Sequence, residues 1–434
     1  MDCDCIKNLQ DCKCGKKHVH QIKSIIIGSY AINSLADEVK KLGCSKAFIL
    51  ADINTFSVAG EMVVKSLTDG GVDFVKFVFE ESVVLPNEHF VGSAIMHFDS
   101  CCDVVVAVGS GVINDIGKIL SSVSKTKYVI VGTAPSMDGY ASSTSSVSLG
   151  GLKVSLPTRC ADVIIGDTQI IKNAPMKMLK SGLGDMLAKY VSICEWRLSN
   201  IITGEYYCEN IANLVRDSLS NCVKNAEKLL DRDEKAVESV FKGLIVCGVA
   251  MSYAGLSRPA SGAEHYISHV LDMRTEEFNT PYDMHGIQCA IATLFIVKKY
   301  NELKNIKIDE QKALNHAINF DEKKHNQLLT TLVGKGAKSM IEQEKADKKY
   351  NVQKHAERLQ LIISNWHKIL SVINQEIPDY SQLESLFDKL SLPKDFNYLG
   401  VDDNLLESIF LATKDIRDKY VLSRLLWDLG IERI

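Results

Sequence analysis

Five short β-branched runs separated by helical patterns constrain the first third of this chain more than any other feature. They are "SIIIG" (24–28), "AFILAD" (47–52), "FVKFVF" (74–79), "DVVVAVG" (103–109) and "YVIVGT" (128–133), and stretches such as "SLADEVKKLG" and "VAGEMVVKSLTDGG" lie between them. Strands apolar on both faces and alternating with helices build βαβ units, so the pattern predicts a parallel, Rossmann-like sheet covered by helices. The stretch "SSTSSVSLGGLKVSLPT" (142–158) predicts a hairpin turning at Gly150 and Gly151.

From about residue 176 the strand signal fades. Long patterns such as "ENIANLVRDSLSNCVKNAEKLL" and "KHAERLQLIISNWHKILSVI" repeat apolar residues at intervals of three and four. The expected organisation is a Cys-rich segment over 1–20, an α/β domain over 21–175 and an all-helical domain over 176–434. The stretch 301–355, with its charged "EQEKADKKY", is expected to be a solvated helical excursion without chemistry.

Composition excludes some classes. A net charge of −4 over 434 residues gives no basic surface for nucleic acid. The start "MDCDCIKNLQ" has no apolar core of a signal peptide, and no run reaches the ~18 apolar residues expected of a membrane span. Thirteen cysteines in such a chain read as reduced thiols in the cytoplasm. Cys3, Cys5, Cys12, Cys14 and His18 are crowded at the start. They read either as a small zinc knuckle or as an exposed flap with idle thiols, and the C-x-C spacing suits a single zinc less well than C-x-x-C.

A phosphate cradle is expected where "DVVVAVGSGVINDIGKIL" passes from strand to helix through Gly109, Ser110 and Gly111. Small residues there let backbone N–H groups approach a pyrophosphate, beside the partial positive charge of a helix N-terminus. Asp52, ending an earlier strand, has the chemistry to accept from a ribose 2′-hydroxyl and to repel a 2′-phosphate, which favours NAD(H) and leaves NADP(H) open. It reads equally well as a turn-forming aspartate.

Metal chemistry is suggested by His265 and His269 in "RPASGAEHYISH", His285 in "NTPYDMHGIQ" and Asp185 in "SGLGDMLAKY". A spacing of four puts the first two on one helix face. A carboxylate with two imidazoles suits Zn2+, Ni2+ or Fe2+. Thr280 is expected to cap a helix with Pro281 first and Asp283 as the capping acid, so that His285 falls one turn inside. The plain alternative is that these histidines are ordinary core or surface residues.

Taken in order, "VAVGSGVINDIGK", "GTAPSMDGYASS", "LPTRCADVIIGDTQII", "SGLGDMLAKY", "RPASGAEHYISH" and "MHGIQ" resemble the metal-dependent polyol dehydrogenase superfamily. That group includes iron-containing alcohol dehydrogenases and glycerol dehydrogenases and shares the dehydroquinate synthase-like fold. The beginning "CKCGKKH", "SMIEQEKADKKY" and "YVLSRLLWDLG" are similar to the bacterial sn-glycerol-1-phosphate dehydrogenases within it. The resemblance implies Asp185, His265 and His285 as metal ligands, with His269 lining the site near the nicotinamide. It implies Asp138 beside the substrate, and Asp115, Thr133, Ser142 and Lys153 around the cofactor. Iron-dependent relatives carry a further histidine four residues after the ligand aspartate. This chain has Lys189 there, which points to zinc or nickel.

The activity implied is NAD(H)-dependent interconversion of dihydroxyacetone phosphate and sn-glycerol 1-phosphate, in a cytoplasmic homodimer without nucleic-acid partner or membrane insertion. A phosphorylated substrate needs cations, and Arg258 and Lys189 are the candidates, with a structural ion pair or a solvated charge as the competing reading of each. A glycerol dehydrogenase acting on an unphosphorylated polyol, a lyase of the dehydroquinate synthase type and a metal-binding protein without catalysis are the competing readings of the whole.

Overall fold

The computed structural model describes residues 11–150 and 152–431. Cys3 and Cys5 lie outside the described residues, and so does the side chain of Lys153.

All five expected runs are strands: β1 (Ser24–Gly28), β2 (Lys46–Asp52), β3 (Asp73–Phe79), β4 (Val104–Gly109) and β5 (Lys127–Gly132). The hairpin is β6 (Thr144–Leu149) and β7 (Leu152–Pro157), antiparallel, with Leu149 opposite Leu152 and Gly150 at φ 59°. One strand escaped the sequence reading. β8 (Val163–Asp167) carries Val163, Ile164 and Ile165 before Gly166, a run as long as that of β1, and it follows directly on the hairpin without an intervening helical pattern.

The main sheet has the order β1-β8-β5-β4-β2-β3, every pair parallel. β4 is buried along its whole length, as expected of a central strand. From β2 the chain moves outward to β3, and from β4 it moves the opposite way to β5. The adjacent strands β2 and β4 therefore flank the point where the winding reverses, the place where open α/β sheets bind ligands beyond the strand ends.

The chain forms two compact units, and they do not divide at 176. One holds residues 1–186 and 213–256; the other holds 187–212 and 257–434. The helix Glu234–Ala254, sequence-distant from the sheet, joins the first unit because its Phe241 ring lies on two glycines of the sheet. A Cβ added at Gly132 would come within 2.7 Å of that ring, and one at Gly166 within 2.2 Å. This helix has 21 residues and is not an unbroken apolar run. It is long and apolar enough to cross a membrane, but 72% of its apolar window is buried in the protein.

In the second unit the helix Lys189–Thr203 packs on Val352–Glu376, and Ala263–Phe278 packs on His285–Leu303. The charged stretch 301–355 is not wholly solvated. Glu344 is buried beside His325, and Lys414 closes an ion pair of 2.7 Å with Asp415 in the same cluster. None of the described cysteines forms a disulfide.

The start of the His285 helix differs from expectation. Ala263–Phe278 runs on until Asn279 ends it in the left-handed conformation at φ 53°, and residues 280–284 are non-helical. Thr280 therefore caps nothing, Met284 is the N-cap and His285 is the first helical residue. Asp283 accepts instead from the Met284 N–H and, at 2.7 Å, from the Tyr398 hydroxyl.

Candidate cofactor and metal site

In the first unit, β4 passes into the helix Gly111–Ser124 through Ser110, whose side chain makes no capping hydrogen bond. The first N–H groups of that helix sit at the strand end flanking the reversal point, as a pyrophosphate cradle requires. Asp115 lies in the first turns of this helix and pairs with the buried Lys118 at 3.0 Å. The Thr133 N–H donates to Gly109 O at 3.1 Å, tying the end of β5 to the cradle. Ser142 follows the 3-10 turn Asp138–Ala141 and bonds Thr144. Lys153 lies on β7 opposite Ser148.

Asp52, at the end of β2, has a structural duty. Its Oδ1 accepts from Thr55 N at 2.8 Å while Thr55 Oγ1 accepts from the Asp52 N–H at 3.1 Å, a reciprocal capping box. The turn-forming reading of Asp52 is thus realised, on the carboxylate that flanks the reversal point.

Asp185 is fully buried in the helix Met176–Leu187. Gly182 explains how it gets there. A Cβ at that position would fall 1.7 Å from the Pro135 carbonyl oxygen, so only glycine lets the helix lie against the loop after β5. That close approach lets Ser181 donate to Ser136 O at 2.9 Å and the Asp138 N–H donate to Asp185 Oδ2 at 2.9 Å. Asp138 and Asp185 are thus brought together through backbone and carboxylate.

In the second unit His265 and His285 face each other, ring centroids 5.1 Å apart, with His269 6.2 Å from His285. Each of the pair is held through Nδ1. His265 Nδ1 lies 2.7 Å from Glu264 Oε1, and His285 Nδ1 lies 3.0 Å from Ser268 Oγ. Ser268 donates its own proton to Gln288 Oε1 at 2.8 Å, so the Nδ1 of His285 must be the donor to the serine oxygen. Gln288 is itself fixed by donating to the Asp283 carbonyl at 3.1 Å. Both imidazoles therefore present Nε2 as the lone-pair nitrogen, the arrangement common to metal-ligating histidines.

Cys289 was missed in the sequence. It follows His285 by one helical turn, and its Sγ lies 3.6 Å from His285 Nε2. The i, i+4 spacing was the available signal. Burial pushes its thiol up, but the imidazoles of His265 and His285 outweigh that and the net shift is downward. Behind His265, Glu195 accepts from the Ala263 and Leu422 N–H groups at 2.9 and 2.8 Å. Burial, and then the neighbouring Glu264 carboxylate, hold its carboxyl well above the usual range.

Residues 26–175 match the family of iron-containing alcohol dehydrogenases. The glycerol-1-phosphate dehydrogenase (NAD(P)+) of Halalkalibacterium halodurans is 29% identical over 327 residues, spanning 74% of this chain and 82% of that protein. The enzyme of the same name from Pyrococcus furiosus is 33% identical over 275 residues, 63% of this chain and 77% of its own length. The chain belongs to the glycerol-1-phosphate dehydrogenase family. The glycerol dehydrogenase of Schizosaccharomyces pombe shares the fold, with a TM-score of 0.63 at 19% identity over 98% of this chain and 91% of that one. An iron-containing alcohol dehydrogenase of Corynebacterium glutamicum gives 0.60 at 14% identity, over 96% and 95%.

For a glycerol-1-phosphate dehydrogenase, the two cations expected at the phosphate sit in unequal places. Arg258 is only 1% exposed and its guanidinium is engaged by the chain itself. Its Nε and Nη2 donate to Glu205 at 2.9 and 2.6 Å, Nη2 also to Ser199 Oγ at 3.1 Å, and Nη1 to the Tyr420 carbonyl at 2.9 Å. This corrects the assignment to substrate: Arg258 is a structural cation, the competing reading of its charge. Lys189 is fully buried, and its ammonium donates to the Ala260 carbonyl at 3.0 Å.

Proposed function

We propose that this chain reduces dihydroxyacetone phosphate to sn-glycerol 1-phosphate with NADH or NADPH, and runs the reverse reaction, using one divalent metal ion held by Asp185, His265 and His285. The observation that carries the reading is the histidine pair, each ring held by its Nδ1 so that Nε2 is the ligand nitrogen, in a chain of this family. Two imidazoles and a carboxylate suit zinc or nickel. Lys189 in place of a third ligand histidine argues against a four-ligand iron site.

A divalent ion bound there supplies Lewis-acid polarisation of the substrate carbonyl. The backbone N–H groups after β4 bind the cofactor pyrophosphate, and Asp52 receives the ribose. Ketone, reduced cofactor and one proton give the alcohol and oxidised cofactor. His269 or Asp138 relays that proton to the product oxygen through water. Lys189 is the remaining cation for the phosphate end of the substrate. The enzyme is read as a homodimer, the commonest closed assembly.

Phosphate does not react, so its binding energy serves to orient the ketone. Loss of two charge-assisted hydrogen bonds of about 1.5–3 kcal/mol each makes dihydroxyacetone a poorer substrate by roughly two to four orders of magnitude in kcat/KM. The test is NADH oxidation by the metal-loaded enzyme on both ketones. Equal efficiency on the two would replace this reading with glycerol dehydrogenase activity.

A further inference from the structure

Outside that site, the N-terminal segment gathers three metal-type donors. The Gly15 N–H donates to the Cys12 carbonyl at 2.9 Å, closing a tight turn that carries Cys12 and Cys14, with Gly15 at φ 80°. His18 is fully buried. Its Nδ1 lies 3.3 Å from the Tyr253 carbonyl, and its Nε2 lies 3.2 Å from Cys14 Sγ. A carbonyl only accepts, so Nδ1 carries the proton and the Nε2 lone pair faces the thiols. The Tyr253 ring covers the imidazole at a centroid distance of 5.7 Å. The donor atoms of Cys12, Cys14 and His18 all lie within 4.8 Å of one another.

We propose that Cys12, Cys14 and His18 form a structural zinc site, distinct from the histidines of the reaction, that fastens the N-terminal segment to the helix bearing Tyr253. Each feature has a physical reason. Thiolates with an imidazole select zinc over the hard cations. Zinc bonds of about 2.3 Å to sulfur and about 2.0 Å to nitrogen place tetrahedral donors about 3.5 Å apart, close to the sulfur–nitrogen separation here. The backbone carbonyl on Nδ1 is the usual outer partner that fixes a ligating histidine. The turn closed by Gly15 folds the short C-x-C spacing back on itself. The burial of His18 is also at odds with an exposed, idle flap. The fourth position falls to a further donor.

The test uses the full chain loaded with zinc alone. In the unaltered protein, iodoacetamide labelling of Cys12 and Cys14, read by peptide mass spectrometry, should rise sharply when a chelator removes zinc. Zinc X-ray absorption should show sulfur ligands, and the Cys12→Ser/Cys14→Ser variant should hold one zinc fewer and lose that sulfur scattering while still reducing its ketone substrate. Labelling unchanged by chelator, or equal zinc content with equal sulfur scattering in variant and wild type, would reduce the cluster to a thiol–imidazole hydrogen bond and overturn the proposal. If the double variant does not fold, the labelling experiment decides alone.

Discussion

Ser268 Oγ sits 3.0 Å from His285 Nδ1 and spends its own proton on Gln288, so a single hydroxyl dictates which nitrogen of His285 carries hydrogen. The consequence is measurable. Ser268→Ala removes the acceptor and lets the ring change tautomer and swing. Metal affinity should fall by about tenfold, the low end of the range for outer partners of ligating histidines. Competition against a chelator of known affinity reads it, and an unchanged dissociation constant would show that the serine does not hold a ligand.

His265 and His269 share a helix face, and His265 is braced through Glu264. His265→Ala should leave the enzyme without its reaction-site metal. His269→Ala should keep that metal and lower kcat, since the residue is read as a proton relay. Metal content by mass spectrometry separates them. Equal loss in both variants would mean that the two histidines act together as ligands.

The parts of this molecule legible in its sequence are those encoded by local periodicity. Five strands of the sheet and the hairpin at Gly150 follow from runs of β-branched residues and a Gly-Gly turn. β8 has an apolar run as long as that of β1 but follows the hairpin with no helix between, outside the strand–helix alternation that marked the others, and its place between β1 and β5 is a matter of topology. The boundary at 176 marks a change of secondary structure but not of packing, because Phe241 must come from a distant helix to meet Gly132 and Gly166. For the site, the motif glycines were readable and their cause was not. Gly182 is small because Pro135 is in the way, a contact between residues 47 apart in sequence. Arg258 was misread for a similar reason. Its partners Glu205, Ser199 and Tyr420 are scattered along the chain, and nothing local announces them.

Asp52 has two roles that a pair of substitutions separates. Thr55→Ala opens the capping box but keeps the carboxylate. It should cost about 1 kcal/mol of stability and leave the cofactor preference alone. Asp52→Ala loses both, so the ratio of kcat/KM for NADH over NADPH should fall as well. If the ratio is the same in wild type and Asp52→Ala, the carboxylate is a cap and nothing more.

Arg258 provides the sharpest contrast between a binding and a structural role. Its guanidinium grips Glu205 with two nitrogens and also holds Ser199 and the Tyr420 carbonyl, joining three segments of the helical unit. Arg258→Met keeps much of the volume but strips the charge, leaving Glu205 without its cation, with the Ser199 hydroxyl still donating to it, and the Tyr420 carbonyl without the guanidinium donor. Removing one partner of a buried pair costs about 3–5 kcal/mol, and the 27% exposure of the Glu205 side chain argues for the low end, about 3 kcal/mol. Arg258→Lys should not restore it, since an ammonium cannot reproduce the planar fork. The denaturant midpoint should therefore drop in both variants. At temperatures where they are folded, the preference for dihydroxyacetone phosphate over dihydroxyacetone should match the wild type. A variant of undiminished stability that has lost this preference would return Arg258 to the substrate phosphate.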